Sequence, residues 1–321
     1  MQSPSPCGFY LVSIALGWED KDTIMLERLM ALDRRIIFLA LLIVVIIPTL
    51  LKVSFPISSI TPTTQSVYDE IDGLEPGSCV WIALDYTPPA MAELQPQLSA
   101  ILHHCFAKDI KVLGLNPLIA ESAPLGHKEF RKIGKEHNKI EGTDYVYLGY
   151  RPGQLSVMLG LAKDMETAGY TKDMNDTPLS DIPMMKEVKS YDDANLLIAL
   201  AAFKTPGYWV QFVGDRFGVR VAVGVTNVMY TSMFPYINSG QLKGVLPGLQ
   251  GAAEYEQLVK KAGYSSGGPA QAGMSIQSIV HYALVLLLIL CNVGYFVIRH
   301  REAKDLERRQ TEAVKQSVGL E

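Results

Sequence analysis

The chain has 321 residues, with 29 Lys and Arg against 33 Asp and Glu, for a net charge of −4. That balance argues against a nucleic-acid partner, which would call for a basic patch or stripe. The four cysteines, Cys7, Cys79, Cys105 and Cys291, are too few for a disulfide scaffold, and no CxxC or Cys/His ligand spacing points to a metal.

Residues 1–35 are predicted as a cytoplasmic N-terminal segment. A short apolar run from Phe9 to Trp18 has no basic lead and makes a poor signal peptide. Met25 and Met30 are alternative starts to Met1. Residues 36–57 are predicted as the first transmembrane helix. The run IIFLALLIVVIIPTLL is near the lower limit of about 17 residues, and it resumes through Val53, Phe55 and Ile57 past Lys52, which can snorkel. Arg28, Arg34 and Arg35 precede it, which places the N-terminus inside.

Residues 58–273 are predicted as an extracytoplasmic domain with its linkers, SSITPTTQ before it and SSGGPAQAG after it. Within it, apolar runs alternate with helical spacing. Strands are predicted over 79–84, 111–115, 145–148 and 219–225. Residues 195–202 read as a strand or a helix start, and 241–249 are ambiguous. Helices are predicted over 90–107, 127–137, 156–164, 207–217 and 252–262. The segment 165–193, rich in Asp, Pro and Met, lacks periodicity and reads as an insertion over one sheet edge. Alternating strand and helix with continuously apolar strands predicts an α/β fold, a Rossmann-like open parallel sheet with helices on both faces.

Residues 276–298 contain no Asp, Glu, Lys or Arg. About 23 uncharged residues cross a bilayer core as a helix. Arg299, Arg301, Lys304, Arg308 and Arg309 follow, so the charged tail 299–321 is cytoplasmic. The expected address is the cytoplasmic membrane, multi-pass, with both termini inside and the head outside. His281 and Asn292 are polar groups inside this span.

In such a sheet, ligands gather at the carboxyl ends of the strands. The residues there are Asp85 with Tyr86 and Thr87, Asn116 with Pro117, Tyr150 with Arg151, Lys204 with Thr205, and Thr226 with Asn227. Asp85, Asn116, Tyr150, Arg151 and Asn227 are taken as the ligand-binding candidates. No catalytic residue can be named. Strand ends also carry Asp, Asn, Thr and Pro simply because turns favour them. A haloacid-dehalogenase-type nucleophile at Asp85 lacks its second acid, since Thr87 stands there. The glycines at 149–153 and 240–251 match no phosphate loop, and no cofactor is expected. His103, His104, His127 and His137 read as surface or cap residues. Cys79 and Cys105 sit at ends of a strand and helix that approach each other, so they form a disulfide or remain two buried thiols.

The stretches IALDYTPPAMAELQPQLSAILHH, DYVYLGYRPG, DTPLSDIPMMKEVKSYDDANLLIAL and SGQLKGVLPGLQGAAEYE lie between Trp81 and Glu254. Over them the chain resembles a family of uncharacterised prokaryotic membrane proteins with one span at each end. The resemblance implies the fold, the membrane address and a bacterial or archaeal source, and no activity. The expected function is a membrane-anchored extracytoplasmic module that binds a ligand or partner, as an accessory or scaffold subunit of a membrane complex. A membrane-anchored hydrolase using the strand-end rim is the alternative. The expected partners are the lipid bilayer and, through the spans, a membrane protein or a second copy.

Overall fold

The computed structural model describes residues 33–318 apart from Lys52. The expectations for residues 1–32, for the snorkelling Lys52 and for the last three residues lie outside the described residues. The chain divides into two units. One is the head, Ser54–Ser275; the other gathers the terminal stretches on either side of it.

The helices, in chain order, are α1 (Arg34–Leu50), α2 (Pro62–Asp72), α3 (Met91–Ala107), α4 (Ser122–Glu136), α5 (Gln154–Gly160), α6 (residues 205–217, with a π turn over Val210–Gly214), α7 (Asn227–Tyr230), α8 (Phe234–Asn238), α9 (Gly248–Lys261) and α10 (Pro269–Val318). The strands are β1 (Cys79–Asp85), β2 (Lys111–Asn116), β3 (Tyr145–Tyr150), β4 (Leu196–Ala201), β5 (Val221–Val225) and β6 (Leu242–Pro247).

The six strands form one sheet in the order β3-β2-β1-β4-β5-β6, and every pairing is parallel. This is the Rossmann order, with a switch between β1 and β4. Residues 195–202 resolve as a strand because β4 lies between β1 and β5, where each of its side chains is buried. A strand covered on both faces has no polar face to reveal its period.

Side chains alternate across β1. Val80, Ile82 and Leu84 face α2, α3, α4 and α9 in one cluster. Cys79, Trp81 and Ala83 face the other cluster, with α5, α6 and the segment before β4. That segment was expected over a sheet edge, and it does reach one: Met174 donates its N–H to the Tyr147 carbonyl of edge strand β3 at 2.9 Å. It also covers the sheet face, burying Met165, Tyr170, Ile182, Met184, Met185, Val188 and Tyr191 against Trp81, Leu113 and Leu148.

The same alternation decides the cysteines. Cys79 packs on one face of the sheet and Cys105 of α3 on the other, and both are free thiols. Burial pushes the Cys79 thiol up to about 12. His104 is a core residue, contrary to the surface expectation. Its Nδ1 lies 2.7 Å from the Tyr255 hydroxyl and its ring stacks on Tyr68 and Tyr264. Burial lowers it to about 4, so it is neutral. His103 and His137 pair at 2.8 Å.

α10 contains a stretch, Pro269–Val314, long and apolar enough to cross a membrane, and it is the only such helix among the described residues. The expected first span, 36–57, is not one continuous helix. α1 has 17 residues, a length of about 25 Å, and the chain leaves the helix after Leu50. Pro48 occupies its last turn, where it removes a helical hydrogen-bond donor.

Candidate functional site

Asp85 ends β1 and pairs with Ala201 of β4, so it stands at the switch point. It follows Trp81 and Ala83 on the face covered by α6 and the segment before β4. Its immediate neighbours there are small: Ala83, Ala199 and Ala201, whereas Leu84, Ile198 and Leu200 fill the opposite face.

The Asp85 carboxyl is buried. Oδ1 accepts the N–H groups of Leu118 and Ile119 at 3.2 and 3.3 Å, from the loop after β2. Oδ2 has no hydrogen-bond partner. Burial pushes this acid up to about 7, against the opposing pull of the two amides and of the Trp209 indole. The indole acts on Asp85 at close range, yet its Nε1 makes no hydrogen bond of acceptable geometry.

Two more buried polar atoms in this region are unpartnered, Tyr170 Oη and Thr205 Oγ1. Burial and then the Asp85 charge push the Tyr170 hydroxyl up, while Arg151 and the Asn116 backbone pull it down. Thr205 stands four residues before Trp209, on the same face of α6. Each unsatisfied buried group costs about 1–3 kcal/mol.

Asn116, at the end of β2, has its side chain fully engaged. Nδ2 donates to the Leu84 carbonyl and to Ser122 Oγ, each at 2.7 Å, and Oδ1 accepts from the Tyr147 hydroxyl at 2.6 Å. It ties β1, β3 and the start of α4 together and leaves no polar atom for a ligand.

Tyr150 and Arg151 line a cleft of ≈ 200 Å³ beyond β3, together with Gly169, Tyr170, Lys172 and Met174. Arg151 donates its N–H to the Asn116 carbonyl at 3.0 Å. Its guanidinium crosses Gly169, where a side chain would meet Nε at 2.8 Å and where φ is +88°. Tyr170 also lines a wider cleft of ≈ 670 Å³ with Met165, Thr171, Met185, Lys186 and Lys189.

Asn227 is exposed and lies two strands from Asp85, about 10 Å along the rim. Its N–H donates to Glu93 Oε2 at 2.8 Å. Buried Gln97 of α3 supports the same corner, donating to the Gly248 carbonyl at 2.8 Å. The structure therefore joins Asp85 to Tyr170 and Trp209, gathers Tyr150 and Arg151 in a neighbouring cleft, and leaves Asn227 apart.

The chain matches no family model, no curated protein and no solved structure. The chemistry of the site rests on its own residues.

Sequence reading missed Tyr170, Trp209, Glu93 and Gln97. Tyr170 lies in a stretch without periodicity, and Trp209 is one apolar residue among several in a helical run. Gln97 carried the only signal, a polar residue on an otherwise apolar helix face.

Beside the polar site, large apolar side chains stand exposed on the connections leaving β4 and β5. They are Phe203, Tyr208, Val228, which is 87 % exposed, and Phe234.

Proposed function

We propose that the chain is a membrane-anchored extracytoplasmic binding module, an accessory or scaffold subunit of a membrane complex. The observation that carries this reading is the apolar rim beside the strand ends, Phe203, Tyr208, Val228 and Phe234. Exposed apolar groups gathered on one rim mark partner surfaces. Asn116, one of the polar candidates near them, serves the fold, since its side chain is fully bonded.

Membrane anchoring is supported by the two terminal helices. Phe38, Leu42 and Leu50 of α1 and Tyr282, Leu286 and Leu288 of α10 are exposed apolar side chains, the surface a helix offers to lipid. The flanking Arg and Lys put both termini in the cytoplasm. The resemblance of the stretches between Trp81 and Glu254 to prokaryotic two-span proteins points the same way. The bilayer is then one partner, and a membrane protein or a second copy meets the spans.

The hydrolase reading draws on Asp85, an acid pushed up to about 7 at the switch point, where a general acid belongs. Against it, Oδ1 is held by two amides and the carboxyl is 1 % exposed.

The test is purification of the full chain from native membranes beside a Val228→Glu, Phe234→Glu variant. We expect a partner retained by the wild type and lost from the variant at unchanged melting temperature. Identical partner recovery from both proteins would contradict the rim reading.

A further inference from the structure

Arg151 follows β3 at the carboxyl end of the sheet, and it is half-buried. Among the described residues its guanidinium has no hydrogen-bond or ion-pair partner; its one bond is the backbone N–H to the Asn116 carbonyl. The guanidinium donors therefore stay unused beside the ≈ 200 Å³ cleft that Arg151 lines. The cleft is shaped to hold the side chain there. The guanidinium rests on Gly169, where a Cβ would stand 2.8 Å from Nε at a φ of +88°. Met174, another lining residue, rests on Gly149 in the same way: a Cβ there would stand 2.8 Å from its Sδ, at a φ of +76°. Each of the two segments supplies the glycine on which the other's side chain lies, and only glycine combines that approach with a positive φ.

The remaining charges of the lining are matched. Lys172 pairs with Asp176. Asp173 is buried, and its Oδ1 accepts the N–H groups of Asn175 and Thr177 at 2.9 and 2.8 Å. Arg151 is the cation of this wall without a partner, so the occupant is an anion. Arg151 and Lys172 face Asp173 and Asp176 in the same lining, which favours a single negative charge. A dianion such as phosphate would meet two carboxylates with one free cation to offset it. The planar guanidinium fork matches a carboxylate through two parallel hydrogen bonds. Leu148, Met174 and Tyr150 give the cleft apolar surface for a short hydrocarbon body. Its volume is below the about 300–1,000 Å³ of pockets for drug-sized ligands, so the ligand is small.

We propose that a small aliphatic monocarboxylate binds in this cleft, both of its oxygens accepting from the Arg151 guanidinium and its hydrocarbon end against Leu148 and Met174. No covalent bond changes. The cleft lies beyond β3, whereas the apolar rim belongs to the connections leaving β4 and β5, so the two readings stand or fall separately.

The full chain in detergent micelles is titrated with propionate and butyrate, and in parallel with butyramide, chloride and inorganic phosphate at constant ionic strength. Melting temperature is followed. The expected result is a saturable rise with the two carboxylates alone. Arg151→Gln should raise the half-saturating concentration about tenfold or more, the worth of a charge-assisted hydrogen bond. Arg151→Lys, which keeps the charge and loses the fork, should raise it by less. The guanidinium bonds nothing in the fold, so both variants should melt like the wild type without ligand; where Arg151→Gln does not fold, Arg151→Lys carries the test. The Val228→Glu, Phe234→Glu variant should respond like the wild type, which separates this site from the rim. A wild type with no saturable carboxylate response, an equal response to butyramide or phosphate, or an undiminished affinity in either Arg151 variant would each overturn the proposal.

Discussion

Glu256 of α9 accepts the N–H groups of Ala270 and Gln271, one on each carboxylate oxygen and both at 3.0 Å. One buried side chain thus satisfies two of the donors that the start of α10 leaves free. Its neighbours on α9 hold the chain entering the head. Gln257 bonds both the N–H and the carbonyl of Ile57, at 3.1 and 3.2 Å. Glu254 accepts from the Thr61 N–H at 3.0 Å and from its hydroxyl at 2.7 Å. A single helix of the head therefore grips the head's first and last segments.

Removing the cap should loosen the start of α10. Glu256→Ala is expected to cost about 2 kcal/mol, at the upper end for a helix cap because the site is buried. Amide exchange at Ala270 and Gln271 should accelerate while β1 and β4 stay protected. Unchanged exchange at those two amides would show that the cap contributes nothing.

Stability should fall as pH rises through the weakly acidic range at two identified sites. Burial pushes Asp85 and Glu256 up to about 7 from ordinary values of 3.8 and 4.5. Each folded-state pKa is raised, so its contribution is complete below the unfolded value and is lost as pH climbs to about 7. The slope is up to about 1.4 kcal/mol per pH unit for each group. Tyr147, Tyr170 and Arg151 are the ionisable groups coupled to Asp85, directly or through Tyr170, and amides alone oppose the rise at Glu256. His104, lowered to about 4, works in the opposite direction, losing its contribution as pH falls from its ordinary value. The informative quantity is therefore the difference between proteins. Denaturant unfolding at pH 5 and pH 7.5 should show a smaller loss in Asp85→Asn and in Glu256→Gln than in the wild type. Equal losses in all three would refute the assignment.

The bracket around Asn116 should be a stability element. Tyr147→Phe removes the hydroxyl that donates to Asn116 Oδ1 and is expected to cost about 1–2 kcal/mol. Gly114→Ala should cost more, about 3 kcal/mol, because a methyl group there would stand 2.2 Å from the Tyr147 ring and 2.9 Å from Phe130. Chemical denaturation measures both. A smaller loss for Gly114→Ala than for Tyr147→Phe would mean that the ring moves aside freely.

Much of the head is legible in the sequence because its strands are short apolar runs separated by helical spacing. β1, β2, β3 and β5 lie where their patterns predict. β6 is harder to read because Gly244 and the exposed Lys243 interrupt it, as an edge strand permits. α2 begins inside the polar stretch expected as a linker, and its buried Thr64, Val67 and Ile71 are too few to announce a helix. Position at the rim was legible for Asp85, since a strand end is a local feature. Its companions were not: Tyr170 and Trp209 meet it only through folding of the segment over the sheet and of α6, contacts that leave no periodic trace.

Topology is tested most directly by cysteine labelling in intact cells. In a background with Cys7 and Cys291 changed to Ser, one protein carries Ser180→Cys on the head and another Thr311→Cys on the tail. A membrane-impermeant maleimide should label the head cysteine in intact cells and the tail cysteine only after permeabilisation. Labelling of the tail with a protected head would contradict an extracytoplasmic binding module.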